Sequence, residues 1–244
     1  MRQRVGFGIA LAMALSLAAF GSPVRAQDYA AIAAAPDRSD ADREIDKQRP
    51  PAKILAFTGV KTGMTVLDIF GTFGYKAELL ARAVGPTGKV YVQNSDKAMA
   101  RIGDKLAARL KTPAATNIVS VVQPFETPAP AGVKFDLVTF LYARHDVTYL
   151  GVDRARLDKS VFDALKPGGI YVVGDYSAKD GVGTADASRL HRSDEAFTRK
   201  EIEAAGFKFV EEGNFLRNPK DAREDHSHGS SDADVYFLKF QKPS

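Results

Sequence analysis

The chain has 244 residues, 45% of them hydrophobic, which suffices for one sizeable α/β core and not for two comfortable domains. It contains no cysteine, which excludes a disulfide framework and leaves stability to burial. The formal charge of +4 is no nucleic-acid signature, because Arg2, Arg4 and Arg25 supply three of those charges and no basic cluster follows.

Met1-Arg2-Gln3-Arg4, an apolar stretch over residues 5–20 and Val24-x-Ala26 read as a secretory signal peptide spanning 1–26, cleaved near Ala26. The apolar stretch is too short and too rich in small residues for a comfortable membrane span. The expected product is an exported, periplasmic protein with no stable membrane anchor. Residues 27–48 are alanine-rich and then charged, and are expected to form a helical extension before a domain over 49–244. Pro50-Pro51 opens a short helix over 52–57, since proline is well placed in a first helical turn.

The organising stretch is Val66-Leu67-Asp68-Ile69-Phe70-Gly71-Thr72-Phe73-Gly74-Tyr75, an apolar run ending in an acid and a turn with two glycines. A helix follows, with Ala77, Leu80, Ala81 and Val84 on one face. Strands are expected over 89–94, 118–122, 135–141 and 170–175. Between them lie a helix capped by Ser95 or Asp96, with Met99, Ile102, Leu106 and Leu110 inward, and another over 152–165. The residues 124–132, with three prolines, form a loop, and Leu165-Lys166-Pro167-Gly168-Gly169 forms a sharp turn. Residues 142–149 read as a polar, aromatic connection. Thr198 is expected to cap a short helix, and a closing strand pair covers 207–215 and 235–240, joined by a polar loop. This alternation predicts an α/β fold, a single doubly wound, mostly parallel sheet with helices on both faces.

Together, residues 59–68, the turn to Gly74, Phe135-Asp136-Leu137-Val138 and the Leu-Lys-Pro-Gly-Gly turn resemble the class I S-adenosylmethionine-dependent methyltransferases. The likeness extends to a group of small, exported bacterial methyltransferases over residues 45–244, including Asp46-x-x-Arg49-Pro50 and His191-Arg192. The resemblance implies a seven-stranded sheet with its last strand antiparallel, and S-adenosyl-L-methionine bound across the carboxyl ends of strands one to four. It implies that Asp68, Phe70, Gly71, Thr72, Gly74 and Tyr75 surround the methionine part of the cofactor. Asn94, or Asp96 in its place, would hold the ribose hydroxyls; Gln123 and Phe125 would edge the adenine; and Tyr142 would stand where cofactor meets acceptor. The family pattern has glycine at two positions occupied here by Phe70 and Thr72, so side chains there could cover the pocket.

His145 is the first candidate base and His191 the second, with Asp146 beside them. Tyr75, Tyr149 and Tyr176 could line an aromatic pocket for the sulfonium. Asp225-His226-Ser227-His228 matches no closed zinc spacing, so this loop is read as solvated and no metal is expected. The reading is an exported methyltransferase acting on a small-molecule or envelope acceptor. Its alternative is a non-catalytic ligand-binding protein on the same fold with an altered cofactor loop.

Overall fold

The first strand shows why the chain folds as it does: Val66, Leu67, Asp68 and Ile69 are all buried, as a central parallel strand covered on both faces requires. The computed structural model describes residues 27–228, 230 and 232–244, and the expected signal peptide lies outside the described residues. In chain order the elements are α1 (Tyr29–Ala33), α2 (Asp40–Asp46), α3 (Pro51–Thr58), β1 (Thr65–Ile69), α4 (Tyr75–Val84), β2 (Lys89–Asn94), α5 (Asp96–Arg109) and β3 (Ile118–Val122). There follow β4 (Phe135–Leu141), α6 (Arg144–Tyr149), α7 (Arg154–Ala164), β5 (Leu165–Tyr176), α8 (Asp186–Arg189), α9 (Glu195–Ala204), β6 (Lys208–Gly213) and β7 (Val235–Gln241).

The seven strands form one sheet in the order β3-β2-β1-β4-β5-β7-β6, with β7 antiparallel to both β5 and β6 and the other pairs parallel. Side chains alternate across it. Val66 and Leu137 join Leu55, Leu80, Val84 and Leu106 on one face, while Leu67, Ile69 and Val138 join Leu157, Val161 and Ile202 on the other. The strand order reverses between β1 and β4, so a crevice opens over their carboxyl ends, where ligands bind in open α/β sheets.

Two expectations need correction, and one stretch gains definition: residues 144–149, read as polar and aromatic, are helical, because Arg144 at the start of α6 is clamped by tertiary ion pairs that local propensity does not reveal. The Leu165–Gly169 segment is not a turn ahead of the strand. It lies inside β5 as an irregularity in register, where Phe135 pairs with Leu165 and Leu137 with Ile170. Asp194, not Thr198, caps α9: its carboxylate accepts from the Phe197 amide, while Thr198 is buried within the helix and accepts from the Tyr236 hydroxyl.

Arg144 is 1% exposed and donates two bonds of 2.8 Å to the fully buried Asp158, with a third of 2.9 Å to Glu201. These bonds tie α6 to α7 and α9. Removing one partner of a buried pair leaves an uncompensated charge, so Arg144→Leu is expected to lower unfolding free energy by about 3–5 kcal/mol in urea titrations. The double variant Arg144→Leu/Asp158→Leu should recover most of that loss. A single variant within about 1 kcal/mol of the parent would contradict this role.

Candidate cofactor and acceptor cleft

The turn from Phe70 to Gly74 is held by side chains from the end of β2. Gln93 accepts from the Phe70 amide at 3.1 Å and donates to the Gln123 carbonyl at 2.7 Å. Asn94 accepts from the Thr72 amide at 2.9 Å and donates to the Thr72 carbonyl at 3.0 Å. Phe70 and Thr72 take left-handed φ values of 50° and 51°, a region that ordinarily favours glycine, so these bonds offset backbone strain. Gly71 is needed for a different reason. A Cβ there would lie 2.4 Å from Val92 Cγ2 and 2.7 Å from Asp68 Oδ2. From the far side Arg109 donates to the Phe73 carbonyl and makes ion pairs with Asp42 and Glu78, bracing the turn against α2 and α4.

Above this turn lies an open cleft of about 1220 Å³. Thr72 and Phe73 form part of its wall and leave the space free, and Phe70 meets Phe125 edge-on at 5.1 Å between ring centroids. Four cationic side chains line it, those of Arg49, Lys76, Lys97 and Arg101. Lys76 stands 4.0 Å from Asp68, and the Arg49 guanidinium lies 4.1 Å from the Tyr142 ring centroid and donates to the Tyr176 hydroxyl. Burial raises the Asp68 carboxyl above its ordinary value against the pull of Lys76, and burial likewise lowers Lys76. The buried Tyr142 hydroxyl has no hydrogen-bond partner among the described residues.

Asp146, Tyr149, His191 and His228 also line the cleft. Behind them His145 is fully buried, its Nδ1 2.8 Å from the Asp175 carboxylate and its Nε2 3.6 Å from Asp146 Oδ1. Burial pushes the His145 imidazole down, but the Asp175 carboxylate outweighs it and the net shift is upward. Burial raises the Asp146 carboxyl. Burial and the neighbouring His145 hold His191 below its ordinary value, and the same influences push His228 down to about 4.

Of the residues singled out from the sequence, the structure brings Phe70, Gly71, Thr72, Tyr75, Asp96, Phe125, Tyr142, Asp146 and His191 to the wall of the cleft. Other expected residues do not line it. Asn94 is fully buried with its amide spent on the Thr72 backbone, so it positions the turn, whereas Asp96, the first residue of α5, lines the cleft. Asp68 is enclosed beneath Gly71, bonded to the Thr139 hydroxyl. Gly74 serves the turn, with φ of 85° and Arg109 packed where a Cβ would go. Gln123 contributes its carbonyl to Gln93, and His145 stands behind the wall. Tyr75 spends its hydroxyl on Asp46 at 2.6 Å, fastening the N-terminal segment. Sequence reasoning missed Lys76, Gln93 and Arg49 as site residues; the only signal was the charged Asp46-x-x-Arg49 pattern.

The ubiE/COQ5 methyltransferase family matches residues 46–213. The Ubiquinone/menaquinone biosynthesis C-methyltransferase UbiE of Cupriavidus taiwanensis is 33% identical over 125 residues, covering 50% of this chain and 47% of that protein. The counterpart in Pseudomonas entomophila is 33% identical over 124 residues, covering 50% and 46%. The chain thus spans about half the length of the curated relatives it matches. Among solved structures, a SAM dependent methyltransferase from Aquifex aeolicus superposes with a TM-score of 0.60 at 15% identity, covering 83% of this chain and 97% of that one. An arsenic (III) S-adenosylmethionine methyltransferase from Chlamydomonas reinhardtii gives 0.57 at 18% identity, covering 88% and 73%. The likeness to these structures is one of fold. With the match spanning most of the sheet and the turn over β1, the chain belongs to the ubiE/COQ5 methyltransferase family, whose cofactor is S-adenosylmethionine.

Proposed function

We propose that the protein is an exported S-adenosylmethionine-dependent methyltransferase acting on a small-molecule or envelope acceptor. The observation that carries this reading is the open cleft over the β1 turn, with Thr72 and Phe73 in its wall. Single small-molecule sites run to about 300–1,000 Å³, so a cleft of about 1220 Å³ has room for cofactor and acceptor together.

The residues fit the cofactor. The Phe70–Phe125 pair offers an apolar edge to the adenine, and Asp96 an acceptor to the ribose hydroxyls. Arg49 and Lys76 offer charge to the methionine carboxylate, and the unpartnered Tyr142 hydroxyl offers a polar contact beside them. When bound, the cofactor supplies an electrophilic methyl group on a sulfonium. The chain's part is then mostly positioning, with a base where the acceptor must lose a proton. Asp146 and His191, both in the cleft wall, are the candidates for that role.

Export rests on the arginine-flanked apolar stretch and Val24-x-Ala26, and the absence of cysteine suits a chain that folds without thiol chemistry. Among the described residues no helix is long and apolar enough to cross a membrane. The protein recovered from the periplasmic fraction is expected to begin at Gln27 by intact mass. A full-length mass confined to the cytoplasmic fraction would overturn export.

Calorimetric titration is expected to show saturable micromolar binding of S-adenosylmethionine and S-adenosylhomocysteine. Arg49→Leu should weaken S-adenosylhomocysteine by about ten- to a hundredfold, the worth of a charge-assisted bond, while adenosine, which lacks the carboxylate, binds as before. Equal losses for both ligands would remove Arg49 from the carboxylate site. A folded protein that binds neither cofactor nor product would favour a non-catalytic binding protein on this fold.

Gly71→Ala is expected to cost about 1–3 kcal/mol of stability through overpacking against Val92 and to lower S-adenosylhomocysteine affinity as the turn shifts. Unchanged stability and affinity would show that the turn tolerates a Cβ and does not depend on this close approach.

A further inference from the structure

All four histidines of the chain, drawn from three segments far apart in sequence, meet at one place beside the cleft. The loop expected to be solvated folds back onto His191. Ser227, fully buried, donates through its amide to the Leu190 carbonyl at 2.9 Å and through its hydroxyl to the His191 carbonyl at 2.6 Å. Arg192 donates to the Asp225 carbonyl at 2.9 Å and pairs with Asp221. These bonds bring the His228 ring centroid to 4.5 Å from His191 and 5.6 Å from His145. Gathering imidazoles is unfavourable if they carry protons, and it calls for a physical reason.

From this arrangement we infer that His145, His191 and His228 form a binding site for a divalent transition-metal ion, zinc being the reference case, with a coordination position open to the cleft. One ring nitrogen from each lies within 4.8 Å of the other two. A tetrahedral zinc with nitrogen ligands at 2.0–2.1 Å needs a spacing of about 3.4 Å, within reach of small side-chain rotations.

Two buried imidazole nitrogens, His145 Nε2 and His191 Nδ1, have no hydrogen-bond partner among the described residues. Buried polar atoms without partners are rare, and an ion is one of the few things that satisfies them. His145 is oriented as a metal ligand is: its Nδ1 is held by the buried Asp175 carboxylate, which accepts also from the His145 amide and the Ser193 hydroxyl, leaving Nε2 without a hydrogen-bond partner among the described residues. His191 holds a left-handed φ of 51°, a conformation uncommon for a side-chain-bearing residue and one that recurs at ligand clamps.

Three imidazoles suit zinc, copper, iron or nickel over magnesium or calcium. Three protein ligands with an open position are the mark of a catalytic rather than a structural zinc site. His191 and His228 line the cleft together with Asp146, so the open position faces the cleft and suits a water or an acceptor oxygen, and with His191 on the metal Asp146 is left as the candidate base. His226 stays outside the group, its Nδ1 taken by the His228 amide.

The test is direct metal binding, which does not depend on methyl transfer. The purified full chain, freed of metal with a chelator, is titrated with zinc chloride by calorimetry and with cobalt(II) by absorption spectroscopy. One equivalent per chain and the ligand-field bands of low-coordinate cobalt are expected. His228→Ala, on an exposed loop where folding is not at stake, should weaken zinc by about tenfold or more, and Asp175→Asn, a positioning change, by about ten- to a hundredfold. His226→Ala should leave affinity as it was. Absence of saturable zinc binding, or binding indifferent to both His191→Ala and His228→Ala, would overturn the site. S-adenosylhomocysteine titrated into the metal-free protein reports separately on the cofactor cleft, so the two readings fail independently.

Discussion

The site depends on two side-chain amides at the end of β2. Gln93 and Asn94 each give both of their hydrogen-bonding groups to backbone, and three of the four bonds go to the turn after β1 or directly to Thr72 within it. Left-handed backbone at a residue other than glycine costs about 1–3 kcal/mol, and Phe70 and Thr72 both adopt it. Bonds made by fully buried amides are not exchanged for water, so they are well placed to hold that strain. A turn that the family pattern builds with glycines is built here with side-chain clamps. Its floor stays in place and its Thr72 and Phe73 side chains stand at the wall.

The N-terminal extension belongs to the same construction. Arg38 forms a bidentate pair with Asp46, which in turn accepts from the Tyr75 hydroxyl at the start of α4. Asp42 is clamped by Arg109, which also holds the Phe73 carbonyl. Ile45, Gln48 and Arg49 consequently line the cleft, and Arg49 lies over the Tyr142 ring. Helices α1 and α2 are too short to be stable alone, so this ionic lattice and the packing of Tyr29 and Ile32 on the core are what order them. Disturbing that lattice therefore reaches the ligand cleft through Arg49, and the turn itself through Arg109 and through Tyr75, which follows Gly74.

Much of the fold was legible because apolar and β-branched runs leave a plain mark: β2, β3 and β4 coincide with the runs read from the sequence, the exposed edge strand β3 included, and β1, starting at Thr65, overlaps the head of the organising stretch. Helix α6 was not legible. Apart from Val147 its residues are polar, two of the six are β-branched, and Arg144 draws its support from Asp158 and Glu201, which lie beyond it in sequence. At the site, the turn and its flanking residues were visible as a pattern, but the allegiance of Asn94 was not. An amide at a strand end serves ribose and backbone equally well on paper, and only the geometry assigns it to Thr72. The histidine group was the least legible part, since Asp225-His226-Ser227-His228 has no metal spacing of its own and acquires partners only when Ser227 seats it against Leu190 and His191.

The central claim is that Asn94 belongs to the turn and that the cofactor is held by the residues around it. A crystal structure of the protein with S-adenosylhomocysteine measures this most directly. The account predicts Asn94 still bonded to Thr72, the ribose at Asp96 and the carboxylate beside Arg49. Asn94 released from Thr72 to hold the ribose, or product bound away from the β1 turn, would contradict it.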